Sequence, residues 1–97
     1  MADITKEQIA TWKEKYGSIF QLSVDGKEAY LRKPDRKTLG YASTAGQTDP
    51  LKFNEVLLKG CWLGGDEEIR TDDELFLAAS GKLAGLIQVK EAELKKL

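Results

Sequence analysis

"IFQLSVDGKEAYLRK", residues 19–33, decides the fold. Two alternating runs of apolar and polar side chains flank Asp25-Gly26. Asp-Gly is favoured in two-residue type I′ turns because both central positions need positive φ. With the turn there, Val24 faces Lys27, Leu22 faces Ala29 and Phe20 faces Leu31. Side chains alternate along a strand, so Phe20, Leu22, Val24, Ala29 and Leu31 share one face. Gln21, Ser23, Glu28, Tyr30 and Arg32 share the other. An isolated hairpin is only marginally stable in water, so its apolar face needs a cover.

The flanking segments supply it. Residues 5–15 read as a short helix: Thr5 and Gln8 form a capping-box pair, Ile9 and Trp12 follow at helical spacing, and Tyr16-Gly17 marks the end. Downstream, Pro34 stops the second strand and Asp35 caps a helix over 35–46. Gly40 and Gly46 weaken this helix, and its apolar side is small: Leu39, Ala42 and Ala45. Asp49 as N-cap and Pro50 at the first helical position start the next helix, 49–62, with an apolar stripe of Phe53, Val56, Leu57 and Cys61. A last helix is expected over 71–95, continuous through Gly81 and Gly85, with Leu75, Phe76, Ala79, Leu83, Leu86, Ile87 and Leu94 along it. The expected fold is α+β in a single domain over 1–97. An N-terminal helix and an antiparallel β-hairpin (19–32) pack against a small bundle of about three C-terminal helices.

Composition narrows the function classes. The chain has 97 residues, 41% hydrophobic and 32% charged, the balance of a soluble globular domain. Fifteen basic and sixteen acidic residues nearly cancel, so no general field draws it to nucleic acid or anionic membrane. A single cysteine forms no internal disulfide and suits a reducing compartment. The first residues lack the basic and apolar regions of a signal peptide, and no apolar run is long enough to span a bilayer. The expected location is the cytoplasm. Histidine is absent, which removes the usual general base near neutral pH, the Ser-His and Cys-His pairs and the commonest zinc ligand. The chain is therefore expected to be no enzyme and to hold no cofactor or metal.

"GCWLGGDEEIRTDDE", residues 60–74, most resembles an active site, with the lone Cys61, Trp62, paired glycines and six carboxylates. Tested as an EF-hand loop from Asp66 it fails, because Ile69 and Arg70 stand where the loop needs ligands or a small residue. A helix boundary explains it better. Gly64-Gly65 frees the backbone, Thr71 with Glu74 forms a capping box, and Asp72 and Asp73 favour the helix dipole. Cys61 lies on an apolar stripe and reads as a small hydrophobe. Trp62 reads as a core anchor or, if exposed, as a partner anchor. The remaining charge, Asp66, Glu67 and Glu68, suits a basic protein surface.

A second candidate is the basic corner of Arg32, Lys33, Arg36 and Lys37, without the interleaved aromatics of a nucleic-acid surface. Residues 1–48 carry eight basic and six acidic side chains, and 49–97 carry seven and ten. A basic and an acidic corner on one domain could pair head-to-tail between copies. The terminal "EAELKKL", read as continuing an amphipathic helix, is either a frayed end or a segment that docks into another copy's groove.

Read in order, "LRKPDRKTLGYAS", "DPLKFNEVLLKGCWLGGDEE" and "DELFLAASGKLAGLIQVKEAELKKL" resemble the small tail assembly chaperones of long-tailed bacteriophages and prophages. The resemblance covers roughly residues 16–97 and consists of core and cap positions, with no catalytic signature. It implies a non-enzymatic assembly factor in the host cytoplasm that coats the tape measure protein, brings tail tube subunits to it, and leaves before the virion is complete. It also implies that a longer, frameshifted form exists in many members. A structural virion component, such as a connector or completion protein, and a generic protein-binding adaptor stay open as alternatives, with a metal-dependent enzyme more distant.

Overall fold

Asp25 and Gly26 both take positive φ, 50° and 77°, in the computed structural model, which describes residues 4–87 and 92–97. The turn joins β1 (Ile19–Val24) to β2 (Lys27–Arg32) in the expected register: Val24 opposite Lys27, Leu22 opposite Ala29 and Phe20 opposite Leu31. Leu22, Ala29 and Leu31 are buried, so the face predicted to be apolar is the one that enters the core.

Helices form where the caps predict them. In α1 (Lys6–Tyr16) the Thr5 hydroxyl accepts from the Gln8 amide and the Gln8 side chain accepts from the Thr5 amide. Asp35 caps α2 (Arg36–Gly46) and Asp49 caps α3 (Pro50–Cys61), each by accepting a backbone N–H of the first turn. A Cβ on Gly60 would lie 2.7 Å from Thr38 Cγ2, so the end of α3 meets the start of α2 at a close contact that a larger residue would enter only by displacing the Thr38 side chain. The chain is α+β, with α2 and α3 packed as a helical pair.

Three expectations are corrected. First, the glycine-rich exit from α3 is a strand, β3 (Trp62–Gly65), antiparallel to β2, so the sheet has three strands in the order β1-β2-β3. Trp62 therefore belongs to the sheet and not to a helix running to 62. Tyr30 pairs with Gly64 and Leu31 with Trp62, a β-bulge that leaves Leu63 as the extra residue. Second, Thr71 is not the cap of the next helix. It ends a single turn, α4 (Glu68–Thr71), and Asp72 caps α5 (Asp73–Ser80) by accepting the Leu75 N–H at 3.0 Å. Asp72 takes the extended backbone that an N-cap requires.

Third, α5 ends at Ser80 and does not run to 95. Gly81 follows, then a 3₁₀ helix over Leu83–Leu86. Two glycines lower the helix propensity there, and the i,i+3 spacing of a 3₁₀ helix places Leu83 and Leu86 together in the core. Residues 88–91 of the expected helix lie outside the described residues, and 92–97 have no regular secondary structure.

The core is formed by Leu22, Ala29 and Leu31 of the sheet with Ala42, Leu57, Leu58, Cys61, Ile69, Ala79, Leu83 and Leu86. Fully burying each leucine or isoleucine contributes about 1.5–3 kcal/mol. On the other side of the sheet, the Trp12 ring of α1 lies 6.1 Å from that of Tyr30, between ring centroids. Gly64 sits beneath Ile4 and Trp12, whose atoms would lie 3.0 and 3.2 Å from an added Cβ. The sheet is thus sandwiched between α1 and the helices that follow the hairpin. No helix among the described residues is long and apolar enough to cross a membrane.

Gly65 closes the sheet. Its φ is 126°, and a Cβ there would run into the Glu28 carbonyl oxygen. Gly65→Ala should therefore lower unfolding stability by at least about 2 kcal/mol. Gly40→Ala, in α2 with open space around it, should raise stability by about 0.5–1 kcal/mol. Urea unfolding of both variants checks the contrast, and equal effects would contradict it.

Candidate functional site

The acidic stretch is tied into the fold residue by residue. The Asp66 amide donates to the Glu28 carbonyl at 2.8 Å, and its carboxylate Oδ2 accepts from the Glu28 amide at 3.0 Å. Glu67 Oε1 meets Arg70 Nη2 at 2.9 Å, and Glu68 Oε2 meets Lys27 Nζ at 3.2 Å. Each of the three carboxylates has a partner inside the chain. Among the described residues no group of three or more Asp, Glu and Cys side chains is placed to hold a metal ion. Trp62 is half-buried, and the Arg70 guanidinium lies over its ring at 4.1 Å from the centroid. That stacking contributes about 0.5–1 kcal/mol and covers one face of the ring. Trp62 packs against the core.

The basic corner separates into two roles. Arg32 turns inward: Nη2 donates to the Gly60 carbonyl at 2.8 Å, and Nη1 donates to the Lys33 carbonyl at 3.3 Å. Its guanidinium lies 5.8 Å from the Tyr16 ring centroid and its Nη1 lies 3.9 Å from Asp35. The Gly60 carbonyl is one of those that a helix leaves unpaired at its C-terminus, so Arg32 fastens α3 to the sheet. Lys33, Arg36 and Lys37 are exposed. Tyr41, 61% exposed, follows Lys37 by four residues on α2 and joins this surface. Sequence reading missed Tyr41, although an aromatic one turn beyond a lysine, off the Leu39 and Ala42 side, was the available signal.

Cys61 is fully buried, and burial pushes its thiol pKa up; Arg32 opposes this and Asp35 adds to it. A thiol held in its neutral form is a poor nucleophile.

A third surface has no counterpart in the sequence reading. Asp49, Leu51 and Glu55 of the α3 segment face Arg70, Asp73, Phe76 and Leu77 across a cleft of about 420 Å³. A smaller hollow of about 220 Å³ shares Glu55, Arg70 and Phe76 and extends it toward Leu58 and Lys59. Leu51 and Leu77 are 47% and 53% exposed, so with Phe76 they form an apolar strip among the charged side chains that line the cleft. The signal was Leu75-Phe76-Leu77: three consecutive apolar residues on a helix span too wide an arc for all to face one core.

Compared with protein-family models, the curated proteins and the solved structures, the chain matches none.

Asp35 supplies a test of the corner's electrostatics. The hydrogen bond from the Thr38 amide, at 2.7 Å, holds its carboxyl below the ordinary value, with Arg32 assisting. A depressed native pKa gives stability that is present above the unfolded carboxylate value and lost as pH falls through the native one. Asp35→Asn keeps a capping oxygen but does not titrate. The stability gap between wild type and Asp35→Asn should therefore be present near about pH 6 and shrink toward about pH 2. Thermal melts at both pH values measure it, and a gap independent of pH would contradict the assignment.

Proposed function

We propose that this chain is a non-enzymatic phage tail assembly chaperone or adaptor that binds tape measure and tail tube proteins in the host cytoplasm. The observation that carries the reading is the ordered resemblance of three segments over residues 16–97. Two exposed surfaces support it as a protein binder. One is the cationic surface of Lys33 with Arg36, Lys37 and Tyr41 of α2, and the other is the cleft between α3 and α5, where Leu51, Phe76 and Leu77 lie among carboxylates. Charged surfaces suit transient association, in which rim charges set encounter rate and selectivity. Head-to-tail contact of the basic corner with the acidic stretch of another copy is a further expectation, and Glu67 and Glu68 stay exposed while paired with Arg70 and Lys27. The second reading is a structural virion component, and a generic adaptor is the coarser form of the first.

Co-expression with the tape measure and tail tube proteins of the same genome separates these. The chaperone reading expects co-purification with them and absence from finished particles. Stoichiometric presence in purified particles would favour the structural component. The triple charge reversal Lys33→Glu, Arg36→Glu, Lys37→Glu should weaken capture by about tenfold or more while leaving the melting temperature nearly unchanged.

A further inference from the structure

Exposed leucines fall in two places. Among the described residues, the large apolar side chains exposed to solvent are Tyr16, Tyr41, Leu51, Leu77, Leu94 and Leu97. Leu51 and Leu77 flank the α3–α5 cleft. Leu94 and Leu97 lie in the terminal segment Ala92–Leu97, which has no regular structure, and they are 102% and 108% exposed. The charges around the two pairs are opposite in sign. Asp49, Glu55 and Asp73 rim the cleft, and Arg70 within it is already held by Glu67 and Trp62. The terminal segment carries Lys95 and Lys96 between its leucines, with Glu93 ahead of them.

We propose that the cleft receives the segment Ala92–Leu97 of a second copy of this chain. Leu94 and Leu97 are three residues apart, so one helical turn sets both on the same side, the spacing by which an amphipathic helix enters a groove between helices. They meet Leu51, Phe76 and Leu77. Lys95 and Lys96 then reach Glu55 and Asp73 on the rim, where the charges select this segment over an acidic one. The cleft and the terminal segment are different surfaces, so the contact is heterologous and each copy offers both halves. Association of this kind continues into chains or closes into rings and does not stop at a two-fold dimer. The inference is independent of the phage reading, since it uses only charge, exposure and shape.

Sedimentation velocity at low salt, over roughly 10 μM to 1 mM, tests it. The wild-type chain should show a mass that climbs with concentration and falls with added salt. A chain lacking Ala92–Leu97 should stay monomeric; those residues are exposed, so the fold does not depend on them. Two charge-reversed proteins make the assignment specific: Glu55→Lys with Asp73→Lys, and Lys95→Glu with Lys96→Glu. Each should be monomeric alone, because like charges meet, and their equimolar mixture should associate again, because each segment then finds an oppositely charged cleft. The proposal is overturned by a wild-type chain that is monomeric throughout, including one whose own segment folds back into its cleft. It is equally overturned by a truncated chain that associates like wild type, or by a mixture of folded variants that stays monomeric.

Discussion

The fold depends on the closure between Glu28 and Asp66. Glu28 uses both backbone groups there: its carbonyl accepts the Asp66 amide, and its amide donates to the Asp66 carboxylate. Gly65 makes the approach possible with a backbone that side-chain-bearing residues rarely adopt. Without this closure the hairpin is a two-stranded ribbon with β2 unpaired on its outer edge, an arrangement of marginal stability. With it, β3 joins the sheet, and the chain leaves toward α4 and α5 at a fixed point. The α3–α5 cleft inherits its geometry from that point, because one wall precedes β3 and the other follows it.

Arg32 has a comparable role at the other end of the sheet. By donating to the Gly60 carbonyl it ties β2 to the end of α3, next to the Gly60–Thr38 contact that brings α2 against α3. Arginine suits this position because its planar fork serves two carbonyls at once while staying charged. The inward turn of Arg32 leaves Lys33, Arg36 and Lys37 as the outward charges, with Tyr41 beside them. The charges that hold the fold and those that face solvent are therefore neighbours in sequence and separate in space.

That distinction sets how much could be read from the chain alone. The hairpin register and the caps at Thr5, Asp35 and Asp49 were legible because each is decided within a few residues, by turn chemistry or by a side chain reaching its own helix. β3 was not legible, since "WLGG" is short and becomes a strand only through pairing with β2, more than thirty residues earlier. The same holds for the acidic stretch. Asp66 and Glu68 look like free charge until Glu28 and Lys27 are brought to them by that pairing. The end of α5 failed for a different reason: Leu83 and Leu86 fit an α-helical stripe and a 3₁₀ turn equally well by spacing, and packing chose the latter. Of the candidate site, the three exposed cations were legible, whereas Tyr41 and the cleft required knowing which helical face the core had used.

The stretch 60–74 thus acts as a strand and two short helical starts in which Asp66, Glu67, Glu68 and Asp72 serve the architecture. Amide hydrogen exchange measures this most directly. The Glu28 and Asp66 amides should exchange as slowly as those of the β1–β2 ladder, because they open only when the sheet does. Rapid exchange at both positions beside a protected hairpin would make 62–66 a loop, and would contradict the closure from which the cleft is built.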